Sequence, residues 1–382
     1  MVVRFQTGDT LNFSLANQAS FTDFAIRNSQ FAICYSPFTI TMRFSLRLNN
    51  DLTIPEYIQL AQVAEAVGFD QFWVSNDLFL RSCPVILAAI AQATRRIEIG
   101  SCILNPYTIN PAEIAMLAAT MDELSGNRFN LGLAAGAGDF LKWVGIEQEK
   151  PLAAVRESIQ VIRQLLAGEK ATIDGELLHW SSEAYLRFQA PRITPIYIGA
   201  MGPKMLQLTG EIADGALPLL FPPEHYFSVK PHIAKGLAER DTSTSLSTSP
   251  KLATLDLAAC IWVSLSEDQA AARRPLAHKI AYYGHALGDL ILQRLGVSRE
   301  EFIPIEHAMM VERDEEKAMA MVDERMLRIG VVGTAKDVIE RLEPLVADGV
   351  RHLSFGPPLG PDPVAAVRLL GEVVRHFRQS ED

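Results

Sequence analysis

From residue 42 onward, short runs rich in β-branched and aromatic residues alternate with longer stretches whose apolar positions recur every three or four residues. That alternation predicts repeated strand–helix units and a parallel sheet. The first unit is a strand over 43–48 and a helix over 54–67, in which Ile54, Ile58, Ala61, Val63 and Ala64 fall largely on one face. A second strand at 72–74 precedes a helix over 84–93. A third runs through 97–99 into 101–104 before a helix over 111–124, and a fourth at 130–133 precedes a helix over 153–166. After an insertion at 167–194, four more strands are expected at 195–199, 215–220, 252–263 and 352–355, with helices beginning near Pro203, Pro223, Glu267 and Asp362. Eight strands, each followed by a helix, make the expected fold an α/β (β/α)8 TIM barrel. The helical stretch from 270 to 326 forms an excursion near strands seven and eight. A doubly wound dinucleotide fold fits less well, because the only Gly-rich run after an early strand, Gly132 to Gly138, does not spell G-x-G-x-x-G and arrives at strand four.

Composition changes this picture little. The 382 residues are 48% apolar and 21% charged, enough to bury a large core. The domain reading is one barrel over 42–382 behind an amino-terminal extension over 1–41. That extension is rich in Phe, Ser, Thr, Asn and Gln without a period, and two readings of it stay open: sequence upstream of a natural start at Met42, or a peripheral arm. Residues 241–250 are a low-complexity loop. A formal net charge of −10 opposes a nucleic-acid partner, and no stretch suits a membrane span. The four cysteines, Cys34, Cys83, Cys102 and Cys260, stand far apart with no C-x-x-C. Together with the absence of an export-like apolar run near Met1, they make a reducing, cytoplasmic setting the expectation.

Three segments carry candidate chemistry. Pro195-Ile196-Tyr197-Ile198-Gly199-Ala200-Met201-Gly202-Pro203-Lys204 is a strand that breaks into Gly-x-x-Gly-Pro and opens a helix. Such a turn aims several amides at one anion, and Pro203 gives up a donor that lacked a helical partner anyway. A plain βα turn is the alternative. Gly100-Ser101-Cys102-Ile103-Leu104-Asn105-Pro106-Tyr107 ends strand three on the face where barrels build their sites. There Cys102 reads as a small residue against a ligand rather than a nucleophile, since no histidine precedes His179. Asn105, and Gly136 in the strand-four run, are candidate cofactor contacts. Ser75-Asn76-Asp77 closes strand two at the same rim, where Asp77 is either an acid/base group or hydrogen-bond partner of a cofactor ring, or the N-cap of a following turn. Arg47, near the end of strand one, points to the same mouth if it faces inward. The histidines show no H-x-H or H-E-x-x-H spacing, which argues against a metal-dependent hydrolase.

Together these segments resemble a known family. Gly68-Phe69-Asp70 with Trp73, Ala93-Thr94-Arg95-Arg96-Ile97-Glu98-Ile99-Gly100, Asn105-Pro106-Tyr107 and Asp122-Glu123-Leu124-Ser125-Gly126-Asn127-Arg128 are similar to the bacterial-luciferase-like superfamily. Pro195 to Leu206, Gly210-Glu211-Ile212-Ala213-Asp214-Gly215 and Gly356-Pro357-Pro358-Leu359-Gly360-Pro361-Asp362 are similar to its branch containing methylenetetrahydromethanopterin reductase. The likeness runs from Met42 nearly to the end. It implies an oxidoreductase using F420 or FMN to move hydride to or from a small-molecule substrate, and a cytoplasmic homodimer. It also implies that Gly199, Ala200, Met201, Gly202, Pro203 and Lys204 surround the cofactor phosphate. Cys102-Ile103 would then form a bulge behind the tricyclic ring, with a non-prolyl cis peptide in some relatives. Arg47, Asn76 and Asp77 would polarise ring or substrate groups. Two departures stand out: Asn76-Asp77 replaces the reductase's Asp-His after strand two, and Arg47 replaces its strand-one carboxylate. A flavin-dependent monooxygenase and a non-catalytic flavin-binding barrel stay open as alternatives.

Overall fold

A computed structural model describes residues 42–240 and 255–379. The extension 1–41, the loop 241–250 and the first three residues of the expected seventh strand lie outside the described residues. The strands, in chain order, are β1 Arg43–Leu48, β2 Gln71–Val74, β3 Glu98–Ser101, β4 Phe129–Leu133, β5 Ala171–Asp174, β6 His179–Ala184, β7 Ile196–Ile198, β8 Gly215–Ala216, β9 Asp256–Leu257, β10 Ala259–Leu265, β11 Val331–Gly333 and β12 His352–Leu359. Ten of them form one sheet in the order β11-β10-β12-β1-β2-β3-β4-β7-β8-β9, and each adjacent pair is parallel. β9 closes that order at one end and β10 stands second from the other, yet a single residue, Ala258, joins them, and Leu219 bridges Cys260. The sheet is therefore curled.

Strand alternation sets the two faces of the curl. Phe44, Leu46, Phe72, Val74, Ile99, Phe129, Leu131, Ile196 and Ile198 belong to one buried cluster with apolar faces of the surrounding helices. The helix Ile54–Val67 shows how the sequence sets those elements. Pro55 occupies its first turn, Glu56 accepts a hydrogen bond from the Thr53 amide at 2.7 Å, and Gly68 ends it at φ 100°, a left-handed conformation that costs glycine little. Tyr57, Leu60, Ala61 and Ala64 are its buried residues, each large apolar side chain contributing roughly 1.5–3 kcal/mol of burial.

Several expectations need correction. Strand 215–220 pairs only over Gly215–Ala216 and at Leu219, because Pro218 has no amide for the ladder. The run 97–104 breaks after Ser101 at a cis Cys102–Ile103 peptide, and pairing resumes only at Leu104 with Leu133. The insertion 167–194 contains the antiparallel hairpin β5–β6. The chain also holds a strand, β11, and a helix, Ala335–Ala347, that the eight-unit reading omitted. Thr334 and Asp337 form a capping box at the start of that helix, a signal available in the sequence. The helical stretch after β10 has its own buried cluster around Leu276, Ile280, Phe302, Met326 and Ile329.

Candidate active site

Inside the curl, polar residues alternate with the outer core around a small apolar cluster of Trp73, Tyr197, Leu217 and Cys260, and side chains from strands that are not sheet neighbours meet there. Arg43 on β1 donates to Asp256 Oδ2 at 2.7 Å and to the Tyr197 hydroxyl at 3.3 Å. Tyr197 OH donates to the same Asp256 oxygen at 2.7 Å, while His352 Nδ1 lies 2.9 Å from Asp256 Oδ1 and its Nε2 2.9 Å from Ser45 Oγ. Gln71 Nε2 donates to Glu98 at 2.9 Å, and Trp73 Nε1 donates to Gln71 at 3.1 Å. Burial alone would raise the Asp256 carboxyl, but His352, Arg43 and the Tyr197 hydrogen bond outweigh it and hold the carboxyl well below its ordinary range. This network, absent from the sequence reading, forms the floor beneath the carboxyl ends of the strands.

Above that floor, Arg47 faces inward. It is 6% exposed, and its Nε and Nη2 have no hydrogen-bond partner. The nearby Cys260 thiol is placed to accept from it, though sulfur is a weak acceptor. A Cβ on Gly356 would come within 2.4 Å of Arg47 Nη2, so the guanidinium packs directly on β12. Asn50, fully buried, accepts from the Asp77 amide at 3.2 Å and donates to the Asp77 carbonyl at 3.0 Å, fixing the turn after β2. The following helix, Cys83–Ala93, has Ser82 and not Asp77 as its N-cap, while Asp77 directly precedes the turn at Leu78–Phe79. Asp77 is exposed as a residue, yet the walls around its carboxyl desolvate it and raise its pKa, against the pull of Lys279 and Arg47.

Lys279, on helix Gln269–Tyr283, was not foreseen. Its Nζ lies 4.6 Å from the Trp262 ring centre, and desolvation reinforced by Arg47 pulls its pKa down to about 8. No strand-end motif marks it, since the helical excursion carries it over the mouth. The polar alternation Arg43-x-Ser45-x-Arg47 was a legible sign of an inward polar face.

The bulge after β3 sits against the turn after β7. Cys102 N donates to Val74 O at 2.7 Å and Leu104 N to Gly132 O at 2.9 Å, which pins both sides of the cis peptide. A Cβ on Gly199 would meet Ile103 Cγ2 at 3.1 Å and Ala134 Cβ at 3.5 Å. Burial pushes the Cys102 thiol up to about 12, with Arg47 opposing, so it is a poor nucleophile at neutral pH. Gly202 is the N-cap of helix Pro203–Ile212, and a Cβ there would meet nothing within 4 Å. Among the described residues, the amides of Ala200, Met201 and Gly202 donate to no acceptor, whereas Gly199 N is engaged with Leu133 O. Met201, Gly202, Pro203 and Lys204 are exposed and Ala200 is buried. Asn105 Oδ1 accepts from Tyr107 N, Thr108 N and Thr108 Oγ1. Its amide nitrogen lies against Gly136, whose loop Gln148 also holds. The structure thus brings Cys102, Ile103 and Gly199 together at the bulge, with Arg47 and Asp77 close enough to act on both Cys102 and Lys279, while Asn105 serves mainly its own turn.

Residues 38–352 match the family described as luciferase-like monooxygenase. The chain is 33% identical over 337 residues, 87% of its length and 98% of the relative's, to 5,10-methylenetetrahydromethanopterin reductase of Archaeoglobus fulgidus. The structure of the coenzyme F420 dependent tetrahydromethanopterin reductase of Methanopyrus kandleri superposes with a TM-score of 0.79 at 28% identity, covering 88% of this chain and 99% of that one. An F420-dependent secondary alcohol dehydrogenase, at 19% identity and a TM-score of 0.67 over 88% of this chain and 99% of that one, shares the fold. The curled parallel sheet, the matched span and the reductase relatives agree, and the chain belongs to the luciferase-like monooxygenase family.

Proposed function

We propose that this protein is an oxidoreductase that binds F420 and transfers hydride to or from a small organic substrate. The observation that carries this reading is the run of acceptor-free amides at Ala200, Met201 and Gly202, next to a helix N-terminus and to Ile103 of the bulge. Amides and a helix dipole of this kind suit a phosphate, and the F420-dependent reductase relatives support F420 over FMN. When bound, the deazaflavin supplies the hydride-carrying carbon. Gly199 to Lys204 hold the phosphate end, Cys102 and Ile103 back the ring, and Asn105 and Gly136 shape the adjoining loop. Asp77 holds a proton near the reacting groups, while Arg47 and Asn76 polarise them. The methanopterin reaction is not carried over, because Asn76-Asp77 and Arg47 replace the reductase's Asp-His and strand-one carboxylate.

The fold that goes with this reading is a closed (β/α)8 barrel over 42–382. Counting β9 with β10 as one strand and leaving β11 outside the ring gives eight strands, with the helical excursion between strands seven and eight. The protein is further read as a cytoplasmic homodimer, supported by the family resemblance and the dispersed cysteines; light scattering at micromolar concentration tests the dimer, and a strict monomer contradicts it.

The deciding experiment titrates wild type and Gly202→Val with F420 and FMN side by side. Gly202 sits at φ −86°, ψ 151° with open space around its Cβ direction, so valine fits the fold and obstructs only an approaching ligand. Losing one charge-assisted amide contact weakens F420 binding by about tenfold or more. Unchanged affinity for both cofactors removes this turn as the phosphate site, and tighter FMN binding reverses the cofactor assignment.

A further inference from the structure

Two cations at the mouth form no direct ion pair among the described residues. Arg47 is buried with two guanidinium nitrogens unpartnered. Lys279 forms no ion pair or hydrogen bond among the described residues, and its ammonium rests instead over Trp262 and Tyr283, 4.6 and 5.4 Å from the ring centres. A ring face attracts a cation but accepts little from its N–H donors, so both groups keep donors to offer. The two are close enough to repel: Arg47 is, after desolvation, the main influence lowering the Lys279 pKa. Arg47 likewise acts on Asp77 after β2, Cys102 after β3 and Cys260 on β10, and it packs on Gly356, the register partner of the Trp262 beneath Lys279. Lys279 itself lines a cleft of about 710 Å3, whose walls combine Leu48, Leu52, Tyr282 and Tyr283 with the charged Asp51, Arg274 and Glu315; Arg47 lies outside that lining.

We propose that Arg47 and Lys279 form the anion-binding end of the substrate site, taking a carboxylate carried on an apolar body that lies in this cleft. The inference rests on the oxidoreductase reading above and names the class of its substrate. A buried guanidinium without a paired carboxylate is costly, and half-buried Lys279 adds a repulsion that Asp51 and Asp77 offset only in part; one anion between the two cations relieves both. The cofactor phosphate is not that anion. Its candidate cradle follows β7 beside the β3 bulge, whereas Arg47 packs on Gly356 of β12 and Lys279 covers Trp262 of β10. A singly charged carboxylate suits the place better than a dianionic phosphate, because Asp51 and Asp77 also act on Lys279 and repel each added negative charge. The aliphatic and aromatic part of the wall, Leu48, Leu52, Tyr282 and Tyr283, suits a hydrocarbon or aryl body.

Calorimetric titration of the full chain, with and without F420, uses 3-phenylpropionate, its uncharged amide and phenyl phosphate as probes. The acid binds about tenfold or more tightly than the amide, as expected for charge-assisted contacts. Lys279→Gln removes most of that preference while amide binding and the F420 titration stay unchanged, and Arg47→Gln removes it as well. Equal binding of acid and amide, or a preference that survives both substitutions, overturns the proposal; so does a loss of F420 affinity in both variants, which would assign the cations to the ring. Tighter binding of phenyl phosphate overturns the choice of carboxylate. If circular dichroism shows Arg47→Gln unfolded, Lys279→Gln, on a peripheral helix, decides alone. A carboxylate preference in a wild type that takes no F420 keeps this site and defeats the cofactor reading, and F420 binding without the preference does the reverse.

Discussion

Asp256→Asn tests the floor of the site. The carboxylate accepts from Arg43 and Tyr197 on one oxygen, at 2.7 Å each, and faces His352 Nδ1 at 2.9 Å on the other. An asparagine keeps one acceptor, which must stay with Arg43, since a guanidinium cannot accept; its amide then turns to His352, whose tautomer can change to receive it. What is lost is the charge opposite Arg43. Breaking a buried ion pair costs about 3–5 kcal/mol, but the Arg43 side chain is 40% exposed and solvent screens part of the interaction, so about 2–3 kcal/mol is the expected loss. For a domain of this size that lowers Tm by roughly 3–4 °C. The pH dependence supplies the sharper test. The folded carboxyl is depressed, so its stabilisation is complete above the unfolded value near 3.9 and fades as pH falls toward the folded value. Between about pH 6 and pH 3 the stability gap between wild type and Asp256→Asn should narrow by about 1 kcal/mol, read from urea unfolding at each pH. A gap that is constant across that range, or smaller than about 0.5 kcal/mol at pH 6, refutes the reasoning that the charge on Asp256 holds this floor.

Three further outcomes are expected. Asp77→Asn lowers turnover by ~10²-fold in steady-state assays with an established substrate and leaves the melting temperature unchanged, since its carboxylate caps no helix; full turnover with the wild-type pH profile removes it from the site. Iodoacetamide at neutral pH leaves Cys102 unmodified by peptide mass spectrometry, because its thiol is pushed up to about 12; rapid labelling contradicts that environment. Gly132→Ala destabilises by about 2–3 kcal/mol in chemical denaturation, because its Cβ would come within 1.9 Å of the Ser101 carbonyl oxygen, and a neutral effect means β3 and β4 pack less closely than observed.

Much of this protein was legible along the chain, because strand and helix periods follow from which side of each element is buried. β1 and helix Ile54–Val67 fall where the pattern predicts, and Gly-x-x-Gly-Pro declares its turn through backbone requirements that only a few residues meet. Strand ends at Asp77 and Cys102 were locatable for the same reason. Lengths and interruptions were less so: Pro218 and the Cys102–Ile103 bulge shorten runs that hydrophobicity alone extends. The resemblance supplied the family and the cofactor class, which periodicity cannot carry. Tertiary structure alone decided which residues share the interior. Arg43, Tyr197, Asp256 and His352 lie on four strands spread over more than 300 positions, and meet only because the sheet curls. Lys279 reaches the mouth because the excursion folds its helix across Trp262. Local pattern reports the burial of a face, whereas the pairing of charges depends on distances in space, and those exist only once the chain has closed upon itself.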